Sequence, residues 1–214
     1  MNENEITKYN ISILGEKAVG KTSLVSVFLG QGFNEDQIST VGIDAVANVA
    51  IFDGTKYLFK IYDNAGQDRY DTIASSTIKL SDGFILVYSV DNIESLKKIS
   101  KWLVSIENKV NRDEKIIILV GNKIDTNKRE ITEEEGQKFA KDNNMKYFET
   151  SAKTNSGVKD AFNYIYKEIY ELNKKSSEGT NGNGNNNKIE KNNTFLLKKD
   201  DKNQTNAKKK KKCF

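Results

Sequence analysis

The chain has little that would cross-link it or carry it across a membrane. Its 214 residues include one cysteine, Cys213, so no intramolecular disulfide can form. Its longest apolar runs, residues 84–90 and 116–120, are far shorter than the roughly 20 residues that a membrane-spanning helix needs. The polar residues 1–5 lack the charged and then apolar pattern of a signal peptide. We therefore expect no secretory leader, and we expect any contact with a membrane to be peripheral.

The chain also lacks an excess of basic charge outside its last segment. The formal net charge is +4, but residues 176–214 hold ten lysines against four acidic residues, which gives +6 and leaves −2 for residues 1–175. A nucleic-acid-binding domain needs a basic stripe on its folded surface. We therefore expect no nucleic-acid partner, and we assign the basicity to the tail.

Length and composition predict one folded domain followed by a tether. A chain with 36% hydrophobic residues can bury one sizeable core, and we place this domain in residues 1–175. Residues 176–214 are rich in Asn, Lys and Gly, a composition too polar to order itself. A flexible tether of this length spans roughly 35 Å, from about 5–6 Å times the square root of the residue number.

The strongest motif is the G-x-x-x-x-G-K-T pattern of residues 15–22. It follows a strand-like run, Tyr9 to Leu14, and precedes a helix-like run, Ser23 to Leu29, which is the context that a phosphate-binding loop requires. Loop N–H groups and a helix N-terminus attract a polyphosphate, Lys21 can reach the outer phosphates, and the Thr22 hydroxyl can ligate Mg²⁺. A chance match in a loop is the alternative for this motif alone. The candidate phosphate-binding residues are Gly15, Glu16, Lys17, Ala18, Val19, Gly20, Lys21, Thr22 and Ser23.

The rest of residues 1–175 alternates between strand and helix patterns. Ile43 to Phe52 and Lys56 to Asp63 flank Asp53-Gly54, a strong hairpin signal. Strand-like runs at 83–89, 116–121 and 146–150 are each followed by a helical pattern. The helix N-caps are predicted at Asp91, with Glu94 three residues later, and at Thr132, with Glu135.

This alternation predicts an α/β fold with right-handed crossovers. We expect the P-loop NTPase architecture, with a six-stranded, mostly parallel sheet, strand two as its antiparallel edge, and helices on both faces. Ligands of such sheets bind at the carboxyl ends of the strands. The phosphate-binding loop, Asp63, Asn122 and Ser151 all fall at or just after predicted strand ends.

Residues 122–125, Asn-Lys-Ile-Asp, have the side chains that recognise guanine. The Asp125 carboxylate can accept hydrogen bonds from both N1–H and the exocyclic amine, a pattern that adenine does not match. Asn122 can meet another edge of the base, and the stem of Lys123 can cover its face. The alternative is an ordinary turn, where Asn and Asp are common. Backbone N–H groups of residues 150–153, which include Ser151, Ala152 and Lys153, are further candidates for contact with the base.

A second polar segment can hold the metal and the attacking water. Asp63 offers a carboxylate to the Mg²⁺ shell, Gly66 offers an N–H to a γ-phosphate, and the Gln67 amide can orient water. Thr40, in the exposed stretch from Gln31 to Gly42, offers Mg²⁺ a second hydroxyl. Taken alone, residues 63–67 also suit an ordinary turn.

In this order, the segments resemble the Ras superfamily of small GTPases over about residues 8–173, and most closely the Rab family. Residues 40–44, TVGID, and 63–70, DNAGQDRY, are similar to the two Rab switch regions. The resemblance implies a GTPase in which Lys21 binds phosphates, Thr22 and Thr40 ligate Mg²⁺, and Asp63 supports the metal through water. It also implies that Gly66 senses the γ-phosphate and that Gln67 positions the hydrolytic water. The implied guanine pocket consists of Asn122, Lys123, Asp125, Ala152 and Lys153.

The resemblance implies partners and a place of action as well. Exchange factors, activating proteins and effectors are expected at residues 32–45 and 62–80. The domain is expected to be cytoplasmic and to cycle onto the cytosolic face of endomembranes or the plasma membrane, in vesicle traffic. Lys208 to Lys212 would bind an anionic surface, and a lipid on Cys213 would anchor it. Only Phe214 follows the cysteine, so this is not a C-a-a-X end, but residues 195–197, FLL, resemble the apolar tail motif of Rab proteins.

Several positions depart from the family pattern. Lys17 and Ala18 stand where small residues or Gly are usual, and Asn64 stands where Thr is usual. The positions of the Rab aromatic triad hold Ala45, Tyr62 and either Thr77 or Ile78, and only Tyr62 is aromatic. Two alternatives to a trafficking switch therefore stay open. One is a GTP-binding scaffold that hydrolyses weakly, and the other is a signalling GTPase of another branch of the superfamily.

Lys17 bears on the first of these alternatives. In the related proteins this part of the loop packs beside the γ-phosphate, where added bulk excludes the arginine finger of an activating protein. That finger is worth roughly 10³–10⁵ in rate. The lysine ammonium could instead supply part of the same charge in cis, or it could point into solvent and have no effect.

Overall fold

The computed structural model describes residues 6–36, 40, 42–64 and 71–178, without the side chains of residues 71–74 and 177–178. The predictions for Gly66, Gln67 and Cys213 lie outside the described residues, as does most of the predicted tether.

The sheet has the predicted architecture. Its strands follow the order β2-β3-β1-β4-β5-β6, with β2 at one edge. Strands β2 and β3 pair in antiparallel fashion across the Asp53-Gly54 turn, and the other neighbours pair in parallel. The fold class is thereby confirmed. The strands are β1 (Thr7–Leu14), β2 (Ile43–Phe52), β3 (Thr55–Asn64), β4 (Gly83–Ser89), β5 (Ile116–Asn122) and β6 (Lys146–Thr150).

The helices follow the predicted alternation with three differences. They are α1 (Lys21–Phe28), α2 (Asp71–Leu80), α3 (Ile93–Lys97), α4 (Ile99–Glu107), α5 (Glu133–Asp142) and α6 (Val158–Glu178). Helix α2 was not predicted, because residues 71–80 combine a weak apolar stripe with several Ser and Thr. The single helix expected after β4 is divided at Lys98 into α3 and α4. Helix α6 follows the predicted pattern, and its last residue is Glu178.

The third difference concerns the start of α3. The N-cap is Asn92, not Asp91, because the Asn92 side chain accepts hydrogen bonds from the backbone N–H groups of Glu94 and Ser95. The Asp91 carboxylate instead accepts from the Ser89 hydroxyl. The capping box of α5, formed by Thr132 and Glu135, is present as predicted.

The core lies on both faces of the sheet. All of β4 is buried, as expected of a central parallel strand covered on both sides. One apolar cluster joins the sheet to α1 and α6, and it includes Val25, Phe59 and Phe162. The other joins it to α2 through α5, and it includes Ile78, Leu103 and Ala140. The two layers fix the strand ends from which the site is built.

Within the described residues, no helix combines the length and the apolar character needed to cross a bilayer.

Candidate functional site

A cavity of about 380 Å³ opens at the carboxyl ends of the central strands. This volume lies within the range of about 300–1,000 Å³ that is typical of small-molecule sites. Twelve of the predicted nucleotide-binding residues line it, and so do four residues that were not predicted to bind nucleotide. The predicted ones are Lys17, Ala18, Gly20, Lys21, Thr22, Ser23, Thr40, Asn122, Lys123, Asp125, Ala152 and Lys153, and the others are Phe33, Asn34, Glu35 and Asn64.

Glycine is required at both ends of the phosphate-binding loop. Gly15 has a φ of +146°, and a Cβ there would lie 2.1 Å from the carbonyl oxygen of Val87 on β4. Gly20 has a φ of +93°, and a Cβ there would lie 2.3 Å from the side-chain nitrogen of Asn122. The loop is therefore pressed against the sheet, a position that only a residue without a side chain can occupy.

Helix α1 begins directly after this loop, at Lys21. Within the described residues, no side chain caps its N-terminus and its first turn holds no acidic residue. Its first N–H groups point out of the helix and carry the positive end of the helix dipole. The loop and the helix start therefore suit a polyphosphate.

Lys21 is buried between the loop and the side chains that were predicted to bind the metal. Its ammonium donates to the carbonyl oxygens of Gly15 and Glu16, at 2.9 and 2.8 Å. Burial lowers the pKa of Lys21 to about 8, against the opposing charges of Asp63 and Glu16. The ammonium is held by two neutral acceptors in a desolvated position, and a phosphate anion would be a stronger partner.

Three side-chain oxygens meet beside Lys21. The Thr22 hydroxyl donates to Asp63 Oδ2 at 2.5 Å and lies 2.8 Å from the Thr40 hydroxyl. The other carboxylate oxygen, Asp63 Oδ1, is buried and has no hydrogen-bond partner among the described residues. Burial raises the pKa of Asp63, and the hydrogen bond from Thr22 opposes that shift.

This cluster fits Mg²⁺ bound together with a nucleotide. Mg²⁺ prefers oxygen ligands and is commonly held by one or two carboxylates together with phosphates and water. Two hydroxyls and one carboxylate with an unpaired oxygen supply such a set. A metal cage built from protein carboxylates alone is not formed, because the described residues contain no cluster of three or more His, Cys, Asp or Glu side chains suited to a metal.

The predicted base-recognition motif, residues 122–125, lies at the opposite end of the cavity. The exposed Asp125 carboxylate accepts a hydrogen bond from the buried Ser151 hydroxyl. Ser151 also accepts from the backbone N–H of Thr154 at 3.0 Å, which fixes the direction of its hydroxyl. Lys123 has a φ of +68°, and its ammonium lies 3.7 Å from Asp91. Ser151 therefore orients the carboxylate that was predicted to read guanine.

Asn122 connects the two ends of the site. It is buried, its amide donates to the Val19 carbonyl at 2.8 Å, and its oxygen accepts from the Thr150 hydroxyl at 3.1 Å. The same oxygen accepts from the backbone N–H of Ala152 at 3.3 Å. These bonds tie the phosphate-binding loop to the two segments predicted to surround the base. The sequence motif had suggested contact with the base and gave no sign of this positioning role.

The segment before Thr40 adds three residues that sequence analysis missed. Phe33, Asn34 and Glu35 line the cavity, and Glu35 forms an ion pair with Lys153 at 2.7 Å. They lie in a polar connection without helix or strand periodicity, and only the tertiary fold brings them to the cavity. The one local signal is Phe33, an aromatic residue in a polar stretch and 39% exposed.

Asn64 occupies a position where the structure explains the departure from the family pattern. Its buried amide donates to the carbonyl oxygens of Ile13 and Tyr62, and its oxygen accepts from the Thr77 hydroxyl at 3.0 Å.

Thr77 and Ile78 are both buried, so neither presents the third position of the aromatic triad on the surface. Tyr62 is half-buried, with the Lys60 ammonium 4.9 Å from the centre of its ring.

Comparisons with known proteins agree with this geometry. The Ras family model matches residues 10–171. Ras-related protein Rab-18 of Lymnaea stagnalis is 39% identical over 172 residues, which cover 80% of this chain and 85% of that protein. Rab-18-B of Danio rerio is 36% identical over 171 residues, covering 80% and 83%. Rab-8A of Bos taurus is 36% identical over 183 residues, covering 85% and 88%.

Proposed function

The chain belongs to the Ras family of GTPases, and we propose that it is a Mg²⁺-dependent switch whose GTP-bound and GDP-bound states control membrane or vesicle traffic. The observation that carries this proposal is the arrangement of charge in one cavity. Lys21 and the Thr22–Asp63 pair stand at one end, and the Asp125–Ser151 pair stands at the other. A nucleoside polyphosphate with its metal matches both ends.

The Asp125 end favours guanine over adenine. A carboxylate at this point needs two donors on the base, and guanine supplies them with N1–H and its exocyclic amine. Adenine has no N1–H and no amine at C2, so the carboxylate would lose both of these donors. A buried polar group without a partner costs about 1–3 kcal/mol, and more if it is charged.

At the phosphate end, the chain's own residues bind and orient the triphosphate. Lys21 would exchange its two carbonyl partners for phosphate oxygens. Thr22 and Thr40 would ligate Mg²⁺, and Asp63 would support the metal through water. The metal, when bound, neutralises charge that develops on the β- and γ-phosphates. Water attacks the γ-phosphorus, and the bond to the β–γ bridging oxygen breaks to give GDP and phosphate. Gln67 is proposed to orient that water, and Gly66 is proposed to donate its N–H to the γ-phosphate.

Single-turnover hydrolysis of GTP with Mg²⁺ tests this function. The wild type is expected to turn over slowly without an activating protein. Changing Gln67→Leu should slow the chemical step and leave GDP affinity nearly unchanged, because the amide acts on the attacking water and not on the diphosphate. An unaltered single-turnover rate would show that Gln67 has no catalytic role in this chain.

The trafficking role is supported by the relatives and by the tail. The matched proteins are Ras-related Rab proteins. We propose that exchange factors, activating proteins and effectors bind at residues 32–45 and 62–80. The Lys208 to Lys212 run is proposed to supply about 1 kcal/mol per lysine at an anionic surface, with a lipid on Cys213 as the second anchor.

Liposome flotation and mass spectrometry test the tail. The native protein is expected to carry a lipid on Cys213 and to float with anionic vesicles, whereas Cys213→Ser should float weakly and only at low salt. A bare cysteine in the native protein, together with no flotation at low salt, would contradict the membrane role. That result would leave the proposal of GTP binding intact, because GTP binding is argued from the cavity residues and not from the tail.

Lys17 gives specific support to a second candidate, a GTP-binding module that hydrolyses weakly. It is exposed, and it lines the cavity beside Ala18, which has a φ of +63° where glycine is usual. Comparing the wild type with Lys17→Gly separates the possibilities. A variant that gains response to an activating domain shows that Lys17 excludes a partner's arginine, and one that hydrolyses more slowly alone shows that Lys17 supplies charge in cis. Unchanged intrinsic and stimulated rates would remove Lys17 from the mechanism.

A further inference from the structure

We propose that Lys98 is a positioning residue for phosphate binding, because it neutralises the carboxylate of Glu16 inside the phosphate-binding loop. This inference rests on the proposed binding of a guanine nucleotide at that loop. Lys98 lies 82 positions from Glu16 in the sequence and outside every motif that predicted the site.

The contact is an ion pair between the loop and the junction of two helices. Glu16 Oε2 lies 2.8 Å from Lys98 Nζ, and the two side chains are 19% and 35% exposed. Lys98 is the C-cap residue of α3 and the N-cap residue of α4, so its position is fixed by both helices. The pair is therefore better shielded from water than the neighbouring pair of Lys97 and Glu94, whose side chains are 63% and 65% exposed.

The Glu16 carboxylate acts electrostatically on the phosphate end of the site. Its charge is among the influences that raise the pKa of Lys21, against the dominant effect of burial. The backbone carbonyl of Glu16 also accepts a hydrogen bond from the Lys21 ammonium at 2.8 Å. A negative charge that favours a cation at Lys21 must disfavour a polyphosphate at the same point.

Lys98 removes this conflict. At the effective dielectric constant of about 20 that suits protein surfaces, a carboxylate on the loop still repels an anion that binds there. A triphosphate carries several negative charges, so an unneutralised Glu16 would repel it more strongly than it repels a diphosphate or a monophosphate. The ammonium of Lys98 cancels most of this repulsion because it lies directly against the carboxylate.

The same helical segment also contacts the base end. Asp91, which immediately precedes the α3 N-cap, lies 3.7 Å from the ammonium of Lys123. Residues 91–98 therefore form two ion pairs with the site. Asp91 pairs with Lys123 near the base end, and Lys98 pairs with Glu16 in the phosphate-binding loop.

The test compares the affinities of full-length variants for GTP, GDP and GMP at low ionic strength. Lys98→Gln should weaken GTP binding about tenfold, GDP less and GMP least, and added salt should reduce the differences. Lys98→Arg should keep the wild-type affinities. Lys97→Gln is the matched control, since it removes the same charge one residue away from a pair that does not involve the loop, and it should leave all three affinities unchanged.

A second change in the same loop separates charge from packing. Glu16→Gln combined with Lys98→Gln should bind GTP more tightly than Lys98→Gln alone, because the unneutralised carboxylate is gone. If Lys98→Gln binds all three nucleotides like the wild type, or weakens them equally without rescue by Glu16→Gln, Lys98 does not act as proposed. A wild type that binds no guanine nucleotide would instead overturn the proposed function itself.

Discussion

The side-chain amide of Asn122 donates a hydrogen bond of 2.8 Å to the carbonyl of Val19 and so joins the base end of the cavity to the phosphate end. The two residues are 103 positions apart in the sequence. The bond makes the geometry of the phosphate-binding loop depend on the segment that carries Asp125. A substitution at Asn122 should therefore weaken the contacts of a bound nucleotide at both its base and its phosphates.

Asn122→Ala is expected to reduce GDP affinity by at least tenfold and to lower the melting temperature by several degrees. The variant leaves the Val19 carbonyl, the Thr150 hydroxyl and the Ala152 N–H without their partner, and each unsatisfied buried group costs about 1–3 kcal/mol. Asn127→Ala, at an exposed position in the loop that follows β5, is the control. Equal affinity and stability of the two variants would show that the Asn122 bonds do not matter.

Nucleotide binding above pH 8 should be accompanied by proton uptake at Lys21. Burial lowers the pKa of Lys21 to about 8 in the free protein, and a phosphate partner raises it again. At pH 8.5 most of this side chain is neutral before binding and charged afterwards. Calorimetric titration with GDP in two buffers of different ionisation enthalpy measures the uptake, and guanosine, which lacks phosphate, is the control.

The same shift has a consequence for stability. A lysine whose folded-state pKa lies below its unfolded value makes the unfolded state bind more protons between those values. The Lys21 contribution to the free energy of unfolding of the nucleotide-free protein should therefore rise from about pH 8 toward pH 10.5. Proton release on GDP binding at pH 8.5, after subtraction of the guanosine signal, would contradict the lowered pKa of Lys21. The predicted proton uptake and the predicted pH dependence of stability both rest on that pKa.

Tyr166→Phe is expected to raise the free energy of unfolding by about 1 kcal/mol. The Tyr166 hydroxyl is buried and has no partner among the described residues, while its ring stacks on Phe59 with centroids 3.8 Å apart. Phenylalanine keeps the stack and removes the unsatisfied hydroxyl. Tyr170→Phe is the matched control on the same helix, and it should lower stability because its hydroxyl donates to Asp53 at 2.7 Å. Chemical denaturation of both variants checks the opposite signs, and a loss of stability for Tyr166→Phe would be the wrong sign.

Glu35→Gln should accelerate the release of GDP. The ion pair of Glu35 with Lys153 joins the segment before Thr40 to the base-recognition end of the cavity. Exposed ion pairs contribute little to overall stability, so the expected effect is a severalfold faster dissociation rate with an unchanged melting temperature. Stopped-flow release of a fluorescent GDP measures the rate, with Glu133→Gln at an exposed position of α5 as the control. Equal rates for the two variants would show that the ion pair does not retain the nucleotide.

The sequence predicted those parts of the site that depend on short motifs. The spacing of Gly15, Gly20 and Lys21 fixes a local backbone shape, and the later motifs follow directly on strands whose order the α/β alternation dictates. These side chains therefore meet in the structure where they were expected. The hairpin at Asp53-Gly54 and the capping box of Thr132 with Glu135 were predictable for the same local reason.

What sequence reasoning missed depends on tertiary contacts or on competition between neighbours. Asp91 and Asn92 both suit an N-cap, and the Ser89 hydroxyl decides between them by engaging Asp91. Phe33 and Glu35 lie in a segment without periodicity, and the Lys98 pair with Glu16 spans 82 positions. No pattern in one sequence encodes such a distance. The hydrogen bond from the Thr77 hydroxyl to Asn64 likewise depends on the packing of α2 against the sheet, which no local sequence pattern predicts.

The most direct test of guanine-nucleotide recognition is competition of GTP and ATP for the wild-type protein with Mg²⁺, beside the variant Asp125→Asn. GTP should bind the wild type at least a hundredfold more tightly than ATP, since adenine supplies neither donor to the carboxylate and an unpaired charged group costs several kcal/mol. Asp125→Asn should prefer xanthosine triphosphate, which presents an acceptor where guanine presents its amine. Equal binding of ATP and GTP by the wild type would contradict the account.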